Sequence, residues 1–263
     1  MSPLPDKKQS RAGASPLHAR VMLAGTPKVG KSTLAAAWAP DTTLIVDTHN
    51  GTKLLDGEHF ISHVKTWAEF EAVVNDIETA ATAGDLRFET VVLDLVDDLW
   101  IFADGAHAGK GKTLATATDD YGRSGKSAEG AFRQVIGRLL ALNLGVWFLT
   151  HTKTIEDAGV TRHVAKLDGK VVTYVQGAAD FVFLAEHLGP RRLLHTAPSA
   201  KFEAGSRVPL PEPMDLDARQ LYAAMNEGLN PKPAAKKPAA KKKDEPAADA
   251  PVDTETEKEA VPA

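Results

Sequence analysis

The chain has 263 residues, 43% of them hydrophobic, which is enough for one sizeable core but short for two full domains. It contains no cysteine, so disulfide scaffolds, thiolate metal sites and cysteine nucleophiles are excluded. A formal net charge of −4 excludes a globally basic nucleic-acid binder, and charge must be read segment by segment.

Residues 1–18 are polar, interrupted by proline and without periodicity, and they carry no apolar signal-peptide core. They are expected to form a flexible arm of an unexported, cytoplasmic protein, since no later run reaches bilayer-spanning length. Ala19 to Ala24 is a short apolar run with strand character. It leads into Gly25-Thr26-Pro27-Lys28-Val29-Gly30-Lys31-Ser32, which fits G-x-x-x-x-G-K-[ST] at every position, and Thr33 to Ala39 opens an alanine-rich helix. Strand, loop and helix in that order make a P-loop. Glycines let backbone N–H groups converge on one anion, and a helix start adds partial positive charge. Residues Gly25 to Thr33 are thus the expected triphosphate cradle, with Lys31 on the β- and γ-phosphates and the Ser32 hydroxyl on Mg²⁺.

Thr42 to Asp47 reads as a buried parallel strand whose last residue stands where open α/β sheets bind ligands. A turn at His49-Asn50-Gly51, a short strand over 60–64 and a covering helix over 67–81 follow, the helix marked by Trp67, Phe70, Val73, Val74 and Ile77. Thr90 to Asp94 is an apolar strand ending in an acid, which makes Asp94 the expected carboxylate for Mg²⁺ beside the P-loop. Residues 106–130 read as a long basic loop holding Lys110, Lys112, Tyr121, Arg123 and Lys126. Such a loop is either a solvated surface or a face for nucleic acid, where cations neutralise phosphates and an aromatic stacks on a base.

A helix is expected over 132–142 and a buried strand over 145–150, ending in His151. His151 is either a γ-phosphate sensor or an ordinary core or surface histidine. Residues 153–170 read as a second cation-rich loop with Lys153, Arg162, His163, Lys166 and Lys170. Strands are expected from 171, over 178–185 and over 191–195, the last two as an edge hairpin turning at Gly189-Pro190, and a final helix over 217–225. From residue 228 the chain is lysine-, alanine- and proline-rich and then acidic, and is expected to be a disordered tail. The folded body is accordingly placed at 19–227.

With these features in order, the chain resembles RecA-superfamily ATPases, above all the compact phage-encoded RecA-like proteins of recombination and single-strand annealing. The likeness runs from about Arg20 to Met225: GTPKVGKST is similar to the family's Walker A segment, VVLDLVDDLW to its Walker B strand and following turn, and FLTHTK to its sensor strand. The resemblance implies an α/β fold with a mostly parallel sheet flanked by helices, ATP and Mg²⁺ as cofactors, and catalytic roles for Lys31, Asp94 and His151. It also implies a ring or filament acting on single-stranded DNA through the two basic segments, with Lys201 of Ser199-Ala200-Lys201-Phe202 reaching a neighbouring subunit's nucleotide. RecA proteins carry a water-activating glutamate shortly after the second strand; here the segment is DTHNGT, and that position falls near His49. Either Asp47, Asp97 or Asp98 substitutes or hydrolysis is slow, and the residues alone leave the water-activating base unassigned.

Two other readings fit the same residues. A loader or adaptor ATPase would act through a helicase or single-strand-binding protein, using the charged tail. A small-molecule kinase would need an arginine-rich lid and an acceptor base, and the basic segments are mostly lysine.

Overall fold

A computed structural model describes residues 13–107 and 123–231, with side chains from 126 onward in the second stretch. The expected tail from residue 232 onward and residues 1–12 of the expected arm, together with Lys110, Lys112, Tyr121 and the side chain of Arg123, lie outside the described residues.

The elements in chain order are β1 (Arg20–Gly25), α1 (Lys31–Ala36), β2 (Thr43–Asp47), β3 (Phe60–His63), α2 (Trp67–Ala83), β4 (Thr90–Asp94), α3 (Val96–His107) and α4 (Arg123–Ala141). They continue with β5 (Gly145–Asp157), β6 (Val160–Ala165), α5 (Gly169–Ala178), β7 (Phe181–Leu188), β8 (Arg191–His195), β9 (Gly205–Ser206), β10 (Met214–Asp215) and α6 (Ala218–Leu229). The strands lie in the order β10-β8-β7-β1-β5-β4-β2-β3. From β7 through β1, β5, β4 and β2 to β3 every pairing is parallel, whereas β8 and β10 are antiparallel additions at the other edge.

Strand alternation sorts the core into two layers. Met22, Val91, Leu93, Val146 and Phe148 face α2, α3, α4 and α5, where Phe70, Leu99, Phe132 and Val175 cover them. Val21, Leu23, Val92, Trp147 and Leu149 face the other way and are covered by Leu34 of α1 and by Leu221 and Met225 of α6. Helices on both faces make this the α/β architecture with a mostly parallel sheet that the resemblance implies.

Five expectations change. Residues 123–130, expected to close the first basic loop, are the opening turns of helix α4, which starts at Arg123 and so carries Lys126. The segment from Val171 is helix α5, not strand: Asp168 caps it by accepting from the Lys170 amide at 3.0 Å, and Val171 and Val175 are buried one turn apart. Its run of β-branched residues imitates a strand because two helical neighbours face the core. The turn expected after Asp94 is helix α3, which buries Val96, Leu99 and Ala103. The second basic loop is mainly a β-ribbon, because β5 runs on past its buried half to Asp157 and pairs antiparallel with β6. Finally, Ser15 caps a 3₁₀ turn over Pro16–His18 with Pro16 buried, so these residues belong to the folded body and not to an arm. Asn230, just past α6, accepts from the Gly13 amide at 3.0 Å and donates to the Ala14 carbonyl at 2.9 Å, extending the body beyond the expected 19–227 at both ends.

Candidate functional site

The loop between β1 and α1 is shaped by close approaches. A Cβ on Gly25 would stand 2.9 Å from both the Ala185 carbonyl oxygen and Val29 Cγ1, so only glycine lets β1 end against β7 here. Gly30 has φ +108°, a conformation side chains disfavour, and a Cβ there would meet Arg192 Nη1 at 2.9 Å. Lys31, only 5% exposed, folds back over the loop and donates to the Gly25 carbonyl at 3.0 Å and the Thr26 carbonyl at 3.1 Å. Burial lowers its pKa from the ordinary lysine value, and the carboxylates of Asp94 and Asp97 work in the opposite direction.

Asp94 closes β4 and is fully buried. The Ser32 hydroxyl neighbours its carboxylate, yet neither carboxylate oxygen has a partner at normal hydrogen-bond geometry. Burial pushes its pKa up, and Ser32, His49 and Lys31 only partly offset this while Asp47 adds to it. Two orphaned oxygens beside a serine hydroxyl suit a hard divalent cation, so Ser32 and Asp94 fit the Mg²⁺ that the P-loop implies.

The three carboxylates available to replace the glutamate differ in their partners: Asp47 and Asp98 accept hydrogen bonds, whereas Asp97 uses only Oδ2 and its buried Oδ1 has none among the described residues. Asp47 accepts from the amides of His49 (3.0 Å), Gly51 (3.3 Å) and Thr52 (3.1 Å) and from the Thr52 hydroxyl (2.5 Å). Burial alone would raise its pKa; the Thr52, His49 and Gly51 hydrogen bonds outweigh that and hold it below the ordinary carboxylate value. Asp47 is thus the anchor of the 49–52 turn. Asp98 accepts from the Thr48 hydroxyl at 2.6 Å. Asp97, on the first turn of α3, lies 3.1 Å from Nδ1 of His151, the residue that pairs with Gly25 across β5 and β1.

Lys31, Ser32, His49, Asp94, His151 and Arg192 line one open cleft of about 470 Å³. A second hollow of about 580 Å³ over α1 shares Thr33, Leu54 and Leu55 with it. A phosphate-binding loop at the carboxyl end of a central parallel strand, faced by a strand-end acid, characterises P-loop nucleotide-binding domains. A family profile described as the AAA domain matches residues 17–208. The chain belongs to the AAA domain family. The match covers this AAA domain from the 3₁₀ turn before β1 to just beyond β9 and includes every residue of the phosphate cleft. A search of curated proteins gave no match. Among the described residues, no helix is long and apolar enough to cross a membrane.

The AAA domain thus gathers Gly25 to Thr33, Asp94 and His151 at one place. The basic residues are dispersed. Lys153 and Arg162 lie on the β5–β6 ribbon, and Lys166 directly follows it. Lys126 is exposed on α4, and Lys170 in the first turn of α5 lies 3.6 Å from Glu129. Arg162 is paired with Asp157 at 3.0 Å and with Glu203 at 3.4 Å. Lys201 is exposed beside the ribbon, where its carbonyl accepts from the His163 amide at 2.7 Å. Arg192 has no motif to mark it; the sequence shows only the start of an edge strand, and the antiparallel register carries it over the P-loop.

Proposed function

We propose that this AAA domain is an ATPase that uses the state of its phosphate cleft to set the conformation of the β5–β6 ribbon, and that the ribbon's ligand is single-stranded DNA. The observation that supports this reading is the continuity of β5: His151 lines the phosphate cleft, and the same strand runs on through Lys153 into the exposed ribbon. Displacement of His151 by an incoming γ-phosphate is therefore delivered to the ribbon through an unbroken backbone.

Residues Gly25 to Thr33 would cradle the phosphates by their backbone amides, and the second hollow would seat the base. Lys31 would exchange its two carbonyl partners for the β- and γ-phosphate oxygens, a shift toward stronger, charge-assisted bonds. Bound Mg²⁺, held by Ser32 and Asp94, would neutralise charge developing on the phosphate oxygens. His151, oriented by Asp97, would hold the γ-phosphate. Lys153 and Lys166 would neutralise DNA phosphates, with Lys201 available to a neighbouring subunit's nucleotide in an oligomer. The test is steady-state ATP hydrolysis with and without single-stranded DNA at low and moderate salt, with Lys31→Ala as the blank. Stimulation that fades with salt is expected; DNA-independent turnover would reject the DNA half of the reading.

A second reading, a loader or adaptor acting through a protein partner, draws on one observation. Arg162 is already paired with Asp157 and Glu203, and Glu156 and Asp157 sit at the ribbon's end, so part of the ribbon is acidic. DNA-independent ATP binding with ribbon-dependent capture of a single-strand-binding protein would favour it.

A further inference from the structure

Two adjacent arginines open β8, and they differ. Arg191 is paired with Asp215 of β10 at 2.7 Å. Arg192 forms no ion pair among the described residues, and its guanidinium rests against Gly30, with Nη1 2.9 Å from where that residue's Cβ would be. Its side chain forms part of the wall of the phosphate cleft. The β8 backbone holds it there: Arg192 is paired with His187 of β7, and its carbonyl accepts from the Leu216 amide at 3.0 Å.

The sheet order says which end of a polyphosphate Arg192 faces. Asp94 and His151 come from β4 and β5, on one side of β1, whereas Arg192 comes from β8, reached through β7 on the other side. The terminal phosphate belongs with the metal-binding acid and His151. Arg192 therefore faces the opposite flank of the cradle, where the diphosphate portion common to ATP and ADP lies. A planar, permanently charged fork with no carboxylate partner among the described residues is the side chain best suited to grip two phosphate groups.

We propose that Arg192 is an in-cis clamp for the diphosphate moiety, a nucleotide-binding residue that holds ADP and ATP alike and contributes little to the chemical step. This rests on the nucleotide-binding reading of the cleft. It differs from a γ-phosphate-directed arginine, which would distinguish ATP from ADP and would act on turnover.

The experiment is calorimetric titration of the full chain with MgADP and with MgATP, comparing wild type, Arg192→Gln, Arg192→Lys, Arg191→Gln and Lys31→Ala, each checked for an unchanged melting curve. Arg192→Gln is expected to weaken both nucleotides about 10- to 100-fold, with Arg192→Lys between it and wild type. Arg191→Gln should bind as wild type does. At saturating ATP, kcat of Arg192→Gln should stay within about threefold of wild type, the pattern of lost uniform binding. Unchanged ADP affinity in Arg192→Gln, with or without a fall in kcat, overturns the clamp. If wild type binds and Lys31→Ala does not, that outcome removes the clamp alone. Failure of wild type to bind either nucleotide removes the cleft reading and the clamp together.

Discussion

Nδ1 of His151 and Oδ2 of Asp97 lie 3.1 Å apart, joining strand β5 to helix α3 at the edge of the phosphate cleft. The bond commits Nδ1 to the carboxylate and leaves Nε2 for a ligand, and Asp97 is only 7% exposed, so the ring is held from a nearly dry side. His151→Gln should therefore lower kcat about 100-fold with little change in nucleotide affinity. Asp97→Asn should give a smaller loss in the same parameter. Steady-state kinetics with parallel binding titrations check this, and wild-type kcat in both variants would return His151 to an ordinary strand-end residue.

Asp94 should destabilise the protein in the absence of a cation. Its folded pKa is raised by burial, so between its ordinary value of 3.8 and the higher folded value the native state binds the extra proton. Stability contributed by this group therefore falls as pH rises through that window. Asp94→Asn should raise the metal-free melting temperature at neutral pH by about 2–4 °C. The gain should shrink below pH 4 and be absent when Mg²⁺ and nucleotide stabilise only the wild type. A variant that melts lower at neutral pH would contradict the orphaned carboxylate.

Asp47 should show the opposite sign. Its pKa is depressed by the 49–52 turn, so its contribution is present above the ordinary carboxylate value and is lost as pH falls through the lower folded value. Asp47→Ala should cost about 2–4 kcal/mol by stranding three amides and a hydroxyl. Urea unfolding at neutral pH and at pH 3 measures both magnitude and direction.

Gly25→Ala should destabilise by about 1–3 kcal/mol, because the added methyl meets backbone as well as side chain: the Ala185 carbonyl cannot retreat without moving β7 from β1. Gly84→Ala is the contrast, with a positive φ but open space around the added carbon. Denaturant midpoints of the two variants separate contact strain from backbone strain.

On the ribbon, Lys153→Ala should reduce the salt dependence of single-stranded DNA affinity by about one counterion. Arg162→Ala should change it less, since its charge is already neutralised by Asp157 and Glu203. Equal slopes for all three proteins would remove DNA as the ribbon's ligand.

The sheet was legible in the sequence wherever a strand is buried on both faces. Thr90 to Asp94 begins and ends where its composition says, and β2 and β7 shift by only a few residues. The P-loop was legible because its chemistry depends on residues adjacent in sequence. Helix α5 was misread because burial of Val171 and Val175 against the sheet and α4 overrides the strand preference of the run Val171 to Val175. Arg192 and the Asp97–His151 pair were invisible for a different reason: each depends on register across elements far apart in the chain, and nothing in an isolated arginine or aspartate records what lies opposite it.

The saturated carboxylate of Asp47 has a further consequence for recognition. Because Asp47 fastens the 49–52 turn by itself, His49 and Gly51 stand at the cleft's wall with no ligand needed to put them there. A nucleotide entering this wall has little chain to organise, so its association should proceed at rates typical of a rigid receptor, and the unfavourable entropy of loop closure should be small.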